Sequence, residues 1–224
     1  MTGLILFDCD GTLVDSQHHI VATMTSAFAA CDLPPPAAAA IRSTVGLSLV
    51  EAAAELLPGT ERRLHEAVAD AYRRTYHATQ GHDEADEPLF PGVAEALVAL
   101  NRGGYLLGVA TGKGRRGLEG VLARHGLREL FVTLQTADRS PSKPAPDMVY
   151  NALAETGSTA AETIVIGDTT YDMAMARNAG VAAIGVSWGY HPAPALLAAG
   201  AAAMIDDIAD LPGALAGLLI RSES

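Results

Sequence analysis

The 224-residue sequence has few cysteines, few aromatic residues, little positive charge and no long apolar run. Its two cysteines, Cys9 and Cys31, are too few for a disulfide framework or a thiolate zinc site, so both are expected to be reduced. Aromatic residues make up only 5%, so Ala, Val, Leu and Ile must build most of the core. No apolar run approaches the ~20 residues that a membrane-spanning helix needs.

The balance of charge is strongly acidic, with a formal net charge of −11 at pH 7. Such a surface repels phosphate backbones, so nucleic acid and anionic membranes are not expected as partners. The N-terminal residues lack the basic region and cleavage site of a signal peptide. With hydrophobic residues at 49%, these features predict a folded, soluble, cytoplasmic protein.

Short, continuous apolar runs alternate with helical patterns along most of the chain. The first run, Leu4–Phe7, ends at Asp8 and is followed by Gly11, which is typical of a strand buried on both faces of a parallel sheet. Strands that alternate with helices predict an α/β fold with right-handed crossovers. The later strands are predicted at Tyr105–Ala110, Phe131–Leu134, Thr163–Ile166, Val181–Val186 and Met204–Ile205.

The segment from residue 16 to residue 88 interrupts this alternation. It contains no strand pattern, and helical patterns cover residues 20–31, 36–57 and 60–79. The chain is therefore expected to comprise an α/β core of residues 1–15 and 89–224 and an inserted all-α domain of residues 16–88. The polar run from Gly81 to Glu87 is interpreted as a solvated linker at the end of this insertion.

Two carboxylates, those of Asp8 and Asp10, follow the first predicted strand. Asp10 lies where the strand gives way to a glycine turn, so both carboxylates are expected at the carboxyl edge of the sheet, where open α/β folds bind ligands. Cys9, between them, is expected to pack in the core. The alternative is an acidic turn that merely solvates a strand end.

A second predicted strand is followed by Thr111 and Gly112. A hydroxyl and free amides at the start of a helix suit a phosphoryl oxygen. The next cations, Lys113, Arg115 and Arg116, oppose the helix dipole, which favours an anion docking nearby. The alternative is that these side chains simply reach into water.

The remaining candidates are a loop lysine and two further acids. Lys143 is followed by Pro144, and prolines restrict the local backbone. The ammonium is therefore expected to hold a defined direction. Asp168 ends another buried strand. Asp172 either faces a cation together with Asp168 or is only a helix N-terminal acid favoured by the dipole.

These acids, the threonine and the lysine all follow strands of one predicted sheet, and hence meet at one edge. Mg²⁺ prefers oxygen ligands and is usually bound by one or two carboxylates together with phosphate. Asp8 and Asp168 would supply those carboxylates. The seven histidines are scattered, so no His/Cys cluster competes for a softer metal.

These motifs and their order resemble those of the haloacid dehalogenase superfamily. The matching segments are residues 8–16, Thr111-Gly112, Lys143-Pro144 and Gly167-Asp168 with Asp172. The resemblance covers essentially the whole chain, including a helical cap inserted after the first motif, as in the phosphoglycolate phosphatase-like branch. It implies a Rossmann-like, three-layer core with a mainly parallel sheet, and an Mg²⁺-dependent phosphatase acting on a small phosphorylated metabolite.

The resemblance also implies a role for each residue. Asp8 would attack phosphorus and become a phosphoaspartate, and Asp10 would protonate the leaving alkoxide and later deprotonate water. Phosphoryl transfer depends on positioning and on charge neutralisation, which the remaining groups would supply. Mg²⁺ would be held by Asp8, Asp168 and the backbone carbonyl of Asp10, and the phosphoryl group by Thr111, Gly112 and Lys143, with Asp172 in support.

Several departures help to choose within the family. Asp10 argues against dehalogenation, because a halide leaving group needs no proton. Ile20 stands where the β-phosphoglucomutase-like branch usually has histidine, and Leu49 where it has arginine, which disfavours a phosphomutase. Ala145 occupies a position where related sequences often have histidine, with no consequence that the sequence reveals.

Substrate choice depends on the cap, where the sequence is less informative. Phosphoglycolate is the default, with pyrophosphate, sugar phosphates and nucleotides as alternatives. Arg42 is a candidate substrate contact, and the alternative is a surface arginine. From a different class, a non-enzymatic phospho-receiver would also combine acids, a hydroxyl and a lysine, but would lack Asp10 and the cap.

Overall fold

The computed structural model describes residues 3–79 and 87–219 and contains a six-stranded, all-parallel sheet. The strand order is β3-β2-β1-β4-β5-β6, so β1 lies at the centre and the chain crosses over it between β3 and β4. All six predicted strands are confirmed. Their bounds are β1 Leu4–Phe7, β2 Leu106–Thr111, β3 Phe131–Thr136, β4 Thr163–Gly167, β5 Ala182–Val186 and β6 Ala203–Ile205.

Helices cover both faces of the sheet, which gives three layers. Ile5 and Phe7 of β1 belong to one apolar cluster and Leu4 and Leu6 to another, because successive side chains of a strand point to opposite faces. The first cluster packs under α5 (Val93–Arg102), α6 (Arg115–Arg124) and α10 (Leu211–Leu219), and the second under α7 (Asp147–Thr156), α8 (Thr170–Ala179) and α9 (Ala193–Ala199). The expected α/β fold with a parallel sheet is confirmed.

The insertion between β1 and α5 is helical, as expected. It contains α1 (Gln17–Ala29), α2 (Ala38–Ser43), α3 (Leu49–Leu56) and α4 (Arg62–Thr79), which share a third apolar cluster. The prediction of helix over 36–57 was wrong at its centre. Gly46 has φ +97°, a conformation that suits glycine and ends one helix before the next begins.

The two chain segments that join this insertion to the core run side by side. The backbone amide of Asp15 donates to Pro88 O at 2.8 Å, and that of Phe90 donates to Leu13 O at 3.0 Å. The domain boundaries at residues 15/16 and 88/89 stay a prediction, but they fall within this paired segment.

The solvated-linker interpretation is wrong for Glu87, and the rest of that run lies outside the described residues. Glu87 is only 1% exposed and accepts from the phenolic OH of Tyr76. Its carboxylate also pairs with Lys113 and Arg124, and these partners offset the cost of burying the charge.

None of the helices within residues 3–79 and 87–219 combines the length and apolarity that a membrane span requires.

Candidate active site

The site begins where β1 ends, at the carboxyl edge of the sheet. Asp8 continues the ladder with a backbone hydrogen bond to Ile166 O at 2.8 Å, and Cys9 is fully buried in the core, as predicted. Gly11 then turns the chain with φ +88°. A Cβ there would lie 2.3 Å from Oδ2 of Asp168, so glycine permits both the turn and the approach of that carboxylate.

Lys143 lies between two carboxylates of the site. Its Nζ is 2.9 Å from Oδ1 of Asp8 and 2.6 Å from Oδ1 of Asp172. All three side chains are fully buried. Although burial alone would lower it, the pKa of Lys143 is raised because Asp172 and Asp8 stabilise the ammonium.

Asp172 is a helix N-terminal acid, one of the two alternatives that the sequence left open, and it also contacts the Lys143 ammonium. It occupies the first turn of α8 and forms a capping box with Thr169, whose backbone amide donates to Oδ2 at 3.0 Å. Its other oxygen holds Lys143. Asp172 therefore fixes the start of α8 and orients the buried ammonium.

Asp168 extends from the end of β4 toward Asp8. Its Oδ1 accepts from the Thr12 hydroxyl at 2.9 Å, and its Oδ2 accepts from the backbone amide of Tyr190 at 2.9 Å. Three carboxylate oxygens, one each from Asp8, Asp168 and Asp172, all lie within 4.8 Å of one another. Three carboxylates this close repel one another unless cations or protons accompany them.

The electrostatics of this cluster fit a hard divalent cation. Burial, assisted by neighbouring Asp172 and Asp10 and opposed by Lys143, raises the pKa of Asp8 to about 7. Burial and the charges of Asp8 and Asp172 raise the pKa of Asp168 well above its usual value. Oδ2 of Asp8 is buried and has no hydrogen-bond partner among the described residues. An unpartnered oxygen in an all-oxygen donor set suits Mg²⁺.

Asp10 lies beside this cluster and is held through a single oxygen. Its Oδ1 accepts from the Ser16 hydroxyl at 2.7 Å and is 3.1 Å from Nζ of Lys113. The carboxylate lines a neighbouring cavity. Asp8 and Asp10 therefore have separate environments, one closed and one facing a space for a ligand.

Thr111 and Gly112 lie at the end of β2, next to β1. The Thr111 hydroxyl accepts from the backbone amide of Lys113 at 3.1 Å. A Cβ on Gly112 would lie 2.4 Å from Leu47 O and 2.6 Å from Gly46 O, so the loop between α2 and α3 approaches the core backbone closely here. The second motif is thus covered by the helical insertion.

The cavity between the core and the insertion has a volume of about 210 Å³. Asp10 and Gly112 line it on the core side, and its opposite wall is largely apolar. That wall includes Ile20, Met24, Val45, Leu47, Leu49, Ala52 and Tyr72. The sequence-predicted substrate contact, Arg42, is half-buried on α2 and is not among the cavity-lining residues of the described chain.

The three residues of the predicted basic cluster all line the cavity, but their contacts differ. Lys113 pairs with carboxylates of the protein, and Arg115 donates to Glu119 at 2.7 Å, whereas Arg116 is exposed at the cavity rim. An anion is therefore not required to explain why Lys113 lies there.

Sequence reasoning missed several residues that shape the site. Thr12 and Ser16 have no role predicted from the sequence beyond membership of the first motif. In the structure, the hydroxyl of each donates a hydrogen bond to an aspartate of the site. Tyr190 and Glu87 belong to no recognisable motif. Tyr190 contributes its backbone amide, which no sequence pattern signals, and the structure shows the neighbouring Gly189 so close to Asp168 that a Cβ would lie 2.1 Å from Asp168 Cβ.

Comparisons with known proteins identify the family. The family model for "Haloacid dehalogenase-like hydrolase" matches residues 5–186. The chain is 38% identical to "Probable phosphatase IndB" of Dickeya dadantii, over 100% of this chain and 98% of that protein. It is 30% identical to "Phosphoglycolate phosphatase" of Pasteurella multocida, over 84% and 87% of the two chains.

Solved structures show the same fold. A hydrolase from Pseudomonas syringae superposes with a TM-score of 0.84 at 28% identity, covering 97% of this chain and 99% of that one. The match spans the motif strands, the insertion and the rest of the core alike. On these sequence and structural grounds, the chain belongs to the haloacid dehalogenase-like hydrolases.

Proposed function

We propose that this hydrolase is an Mg²⁺-dependent phosphatase that cleaves a small phosphomonoester through a phosphoaspartate on Asp8. The observation that carries the proposal is the contrast between its two neighbouring aspartates. Asp8 is buried against Lys143, its Oδ2 has no hydrogen-bond partner in the described part of the chain, and Asp10 faces a cavity. In this proposal, one carboxylate attacks and the other exchanges protons. The names of the relatives from Dickeya dadantii and Pasteurella multocida support the same reaction class.

In the first step, an oxygen of Asp8 attacks phosphorus and the bond from phosphorus to the ester oxygen breaks. Asp10 gives its proton to the departing oxygen, which leaves as an alcohol. In the second step, a water oxygen attacks the phosphorus of the phosphoaspartate, and Asp10 takes the water proton. Phosphate leaves and the Asp8 carboxylate is restored. Lys143 offsets negative charge at Asp8 in both steps.

Asp8 and Asp168, with the backbone carbonyl of Asp10, would hold Mg²⁺. Bound there, the ion would neutralise charge on the phosphoryl oxygens. Asp172 would support this arrangement by orienting Lys143, which it contacts at 2.6 Å. Thr111 and the Gly112 amide would hold the phosphoryl group, since both lie at the end of the strand beside β1.

The organic part of the substrate would occupy the 210 Å³ cavity on the Asp10 side. Phosphoglycolate remains the default substrate, as the compound named for the relative from Pasteurella multocida. The apolar wall of the cavity favours a second candidate class, phosphomonoesters whose alcohol has an apolar or aromatic body. Arg42 is not included in this proposed substrate site, because it does not line the cavity.

Release of phosphate from p-nitrophenyl phosphate, measured with and without Mg²⁺, tests the proposal. We expect many turnovers with Mg²⁺ and loss of activity in Asp8→Asn. The exposed Asp210 provides a matched control, because Asp210→Asn removes the same charge from a position outside the proposed site. A reaction that stops after one equivalent would indicate a phospho-receiver, and conversion of β-glucose 1-phosphate to glucose 6-phosphate would indicate a phosphomutase. A panel containing phosphoglycolate, pyrophosphate and aryl phosphates then identifies the preferred substrate.

A further inference from the structure

The chain contains two lysines, and each contacts one aspartate of the Asp-x-Asp motif. Lys143 contacts Asp8, as described above. Nζ of Lys113 lies 3.1 Å from Oδ1 of Asp10, and the two side chains are only 8% and 10% exposed. We propose that Lys113 is a positioning residue that holds the Asp10 carboxyl in place for proton transfer.

Lys113 is itself fixed by groups from two other segments. Its Nζ is 2.9 Å from Oε1 of Glu87 and donates to the phenolic oxygen of Tyr76 at 3.2 Å. The same ammonium lies 4.9 Å from the centre of the Tyr76 ring, within the range of a cation–π contact. Tyr76 comes from α4 of the insertion and Glu87 from the returning connection. Contacts with both segments therefore hold Lys113 in place where the insertion meets the core.

The described contacts of the Asp10 carboxylate involve Oδ1 and not Oδ2. Lys113 and the Ser16 hydroxyl both approach Oδ1, and the described residues place no hydrogen-bond partner on Oδ2. Because two groups fix one oxygen, the carboxyl can rotate little, and Oδ2 is the oxygen that exchanges a proton with substrate or water. Removing Lys113 would leave only the rotatable Ser16 hydroxyl to orient the carboxyl.

This inference rests on the proposed phosphatase function, in which the proton passes from Asp10 to the departing ester oxygen. The benefit of that proton depends on the leaving group. Phenyl phosphate and p-nitrophenyl phosphate have nearly the same shape, but phenolate is much the more basic leaving group and needs the proton more. A loss of positioning at Asp10 must therefore affect phenyl phosphate more strongly.

The test compares kcat/KM for these two esters in Lys113→Met. General acid catalysis contributes about 10²–10⁴-fold, so we expect partial loss of positioning to lower kcat/KM at least about tenfold for phenyl phosphate and within about threefold for p-nitrophenyl phosphate. Asp10→Asn provides the reference for complete loss of the proton donor. Its loss of kcat/KM should also be greater for phenyl phosphate than for p-nitrophenyl phosphate, and the difference should be larger than in Lys113→Met. Lys113→Arg, which retains a cation, should restore part of the activity on phenyl phosphate.

Arg102→Met is the matched control, since it removes an exposed cation from the end of α5 and should change neither ester. If Lys113→Met does not fold, the double variant with Glu87→Gln also removes the buried carboxylate that Lys113 neutralises and should show the same selective loss. Equal losses on both esters would reject the positioning role and leave a purely structural ion pair. A wild-type protein that hydrolyses neither ester would instead reject the proposed function itself.

Discussion

Nζ of Lys143 lies 2.9 Å from Oδ1 of Asp8, and both side chains are closed to solvent. The surroundings of Asp8 change its pKa in opposite directions. Burial and nearby carboxylates raise the pKa of Asp8 to about 7, whereas Lys143 lowers it. In the proposed mechanism the nucleophilic carboxylate must be ionised, so Lys143 would favour attack by Asp8 near neutral pH.

Lys143→Met should therefore impair the reaction through Asp8. We expect the pKa of Asp8 to rise further and kcat to fall about 100- to 1,000-fold, the usual cost of removing a preorganised electrostatic contact. The acidic limb of the pH–rate profile should move to higher pH, which steady-state assays from pH 5 to 9 would detect. An unchanged acidic limb would contradict the assignment, and Arg102→Met controls for the loss of a positive charge.

The raised pKa of Asp8 also predicts how the stability of the protein depends on pH and on Mg²⁺. The folded-state pKa, about 7, exceeds the ordinary value of 3.8, so the metal-free folded protein retains a proton that the unfolded chain releases between these values. The free energy of unfolding of the metal-free protein should therefore fall as pH rises from about 4 to about 7. The raised pKa of Asp168 acts in the same direction.

Mg²⁺ should reverse this fall in the free energy of unfolding, because a dication favours the ionised carboxylates. We expect Mg²⁺ to raise Tm more at pH 7.5 than at pH 5, as measured by calorimetry at equal ionic strength. The difference should shrink in Asp8→Asn, which lacks the titrating group. Equal Tm increments at the two pH values would contradict the prediction.

Gly112 provides a test of how the insertion closes over the core. Gly112→Ala would place a Cβ 2.4 Å from Leu47 O, a backbone atom that cannot move without displacing the loop between α2 and α3. Overpacking of this kind typically costs about 1–3 kcal/mol, and here the loop can relieve it by moving away from the core. We expect kcat/KM to fall at least about tenfold, with the fold retained by circular dichroism.

Gly213→Ala is the matched control for that variant. Gly213 lies in α10, and beyond the adjoining backbone no heavy atom of the described residues lies within 4 Å of a Cβ built there. Alanine should be tolerated at this position and, as the better helix former, should slightly raise stability. Wild-type activity in Gly112→Ala would show that the loop does not need to approach Gly112.

The sheet and the acids at its edge were predictable because their determinants are local. Leu4–Phe7 is a continuous apolar run, and such a run buried on both faces fixes a central strand without information from elsewhere in the chain. Once the strands are known, Asp8, Thr111 and Asp168 must lie at the same edge of the sheet, because parallel strands end at one edge.

The contacts that orient those acids were not predictable, because they depend on distant segments. Glu87 appeared to be part of a solvated acidic run, and only the packing of α4 and α6 around it explains its burial. Tyr190 holds Asp168 through a backbone amide, a contact that any residue except proline can make and that leaves no signature in the sequence.

The hydrogen bond from Thr12 to Asp168 offers a selective test of the metal site. The Thr12 hydroxyl donates to Oδ1 of Asp168 at 2.9 Å, and both groups are buried. Thr12→Val retains the shape of the side chain but removes the donor, so Asp168 loses a partner that orients it. Removing such a supporting contact typically weakens metal affinity about 10- to 100-fold.

Isothermal titration calorimetry with Mg²⁺ would measure that loss of affinity. At saturating Mg²⁺, kcat should stay within about threefold of the wild type, because Thr12 contacts a proposed ligand and not the reacting groups. Thr163→Val is the matched control, since the equally buried Thr163 hydroxyl donates to Thr159 O at 2.8 Å, at the opposite end of β4 from Asp168. Mg²⁺ affinity that falls equally in both variants would point to general destabilisation, whereas a loss confined to Thr12→Val would establish that the Asp168 carboxylate binds the ion in the orientation that Thr12 imposes.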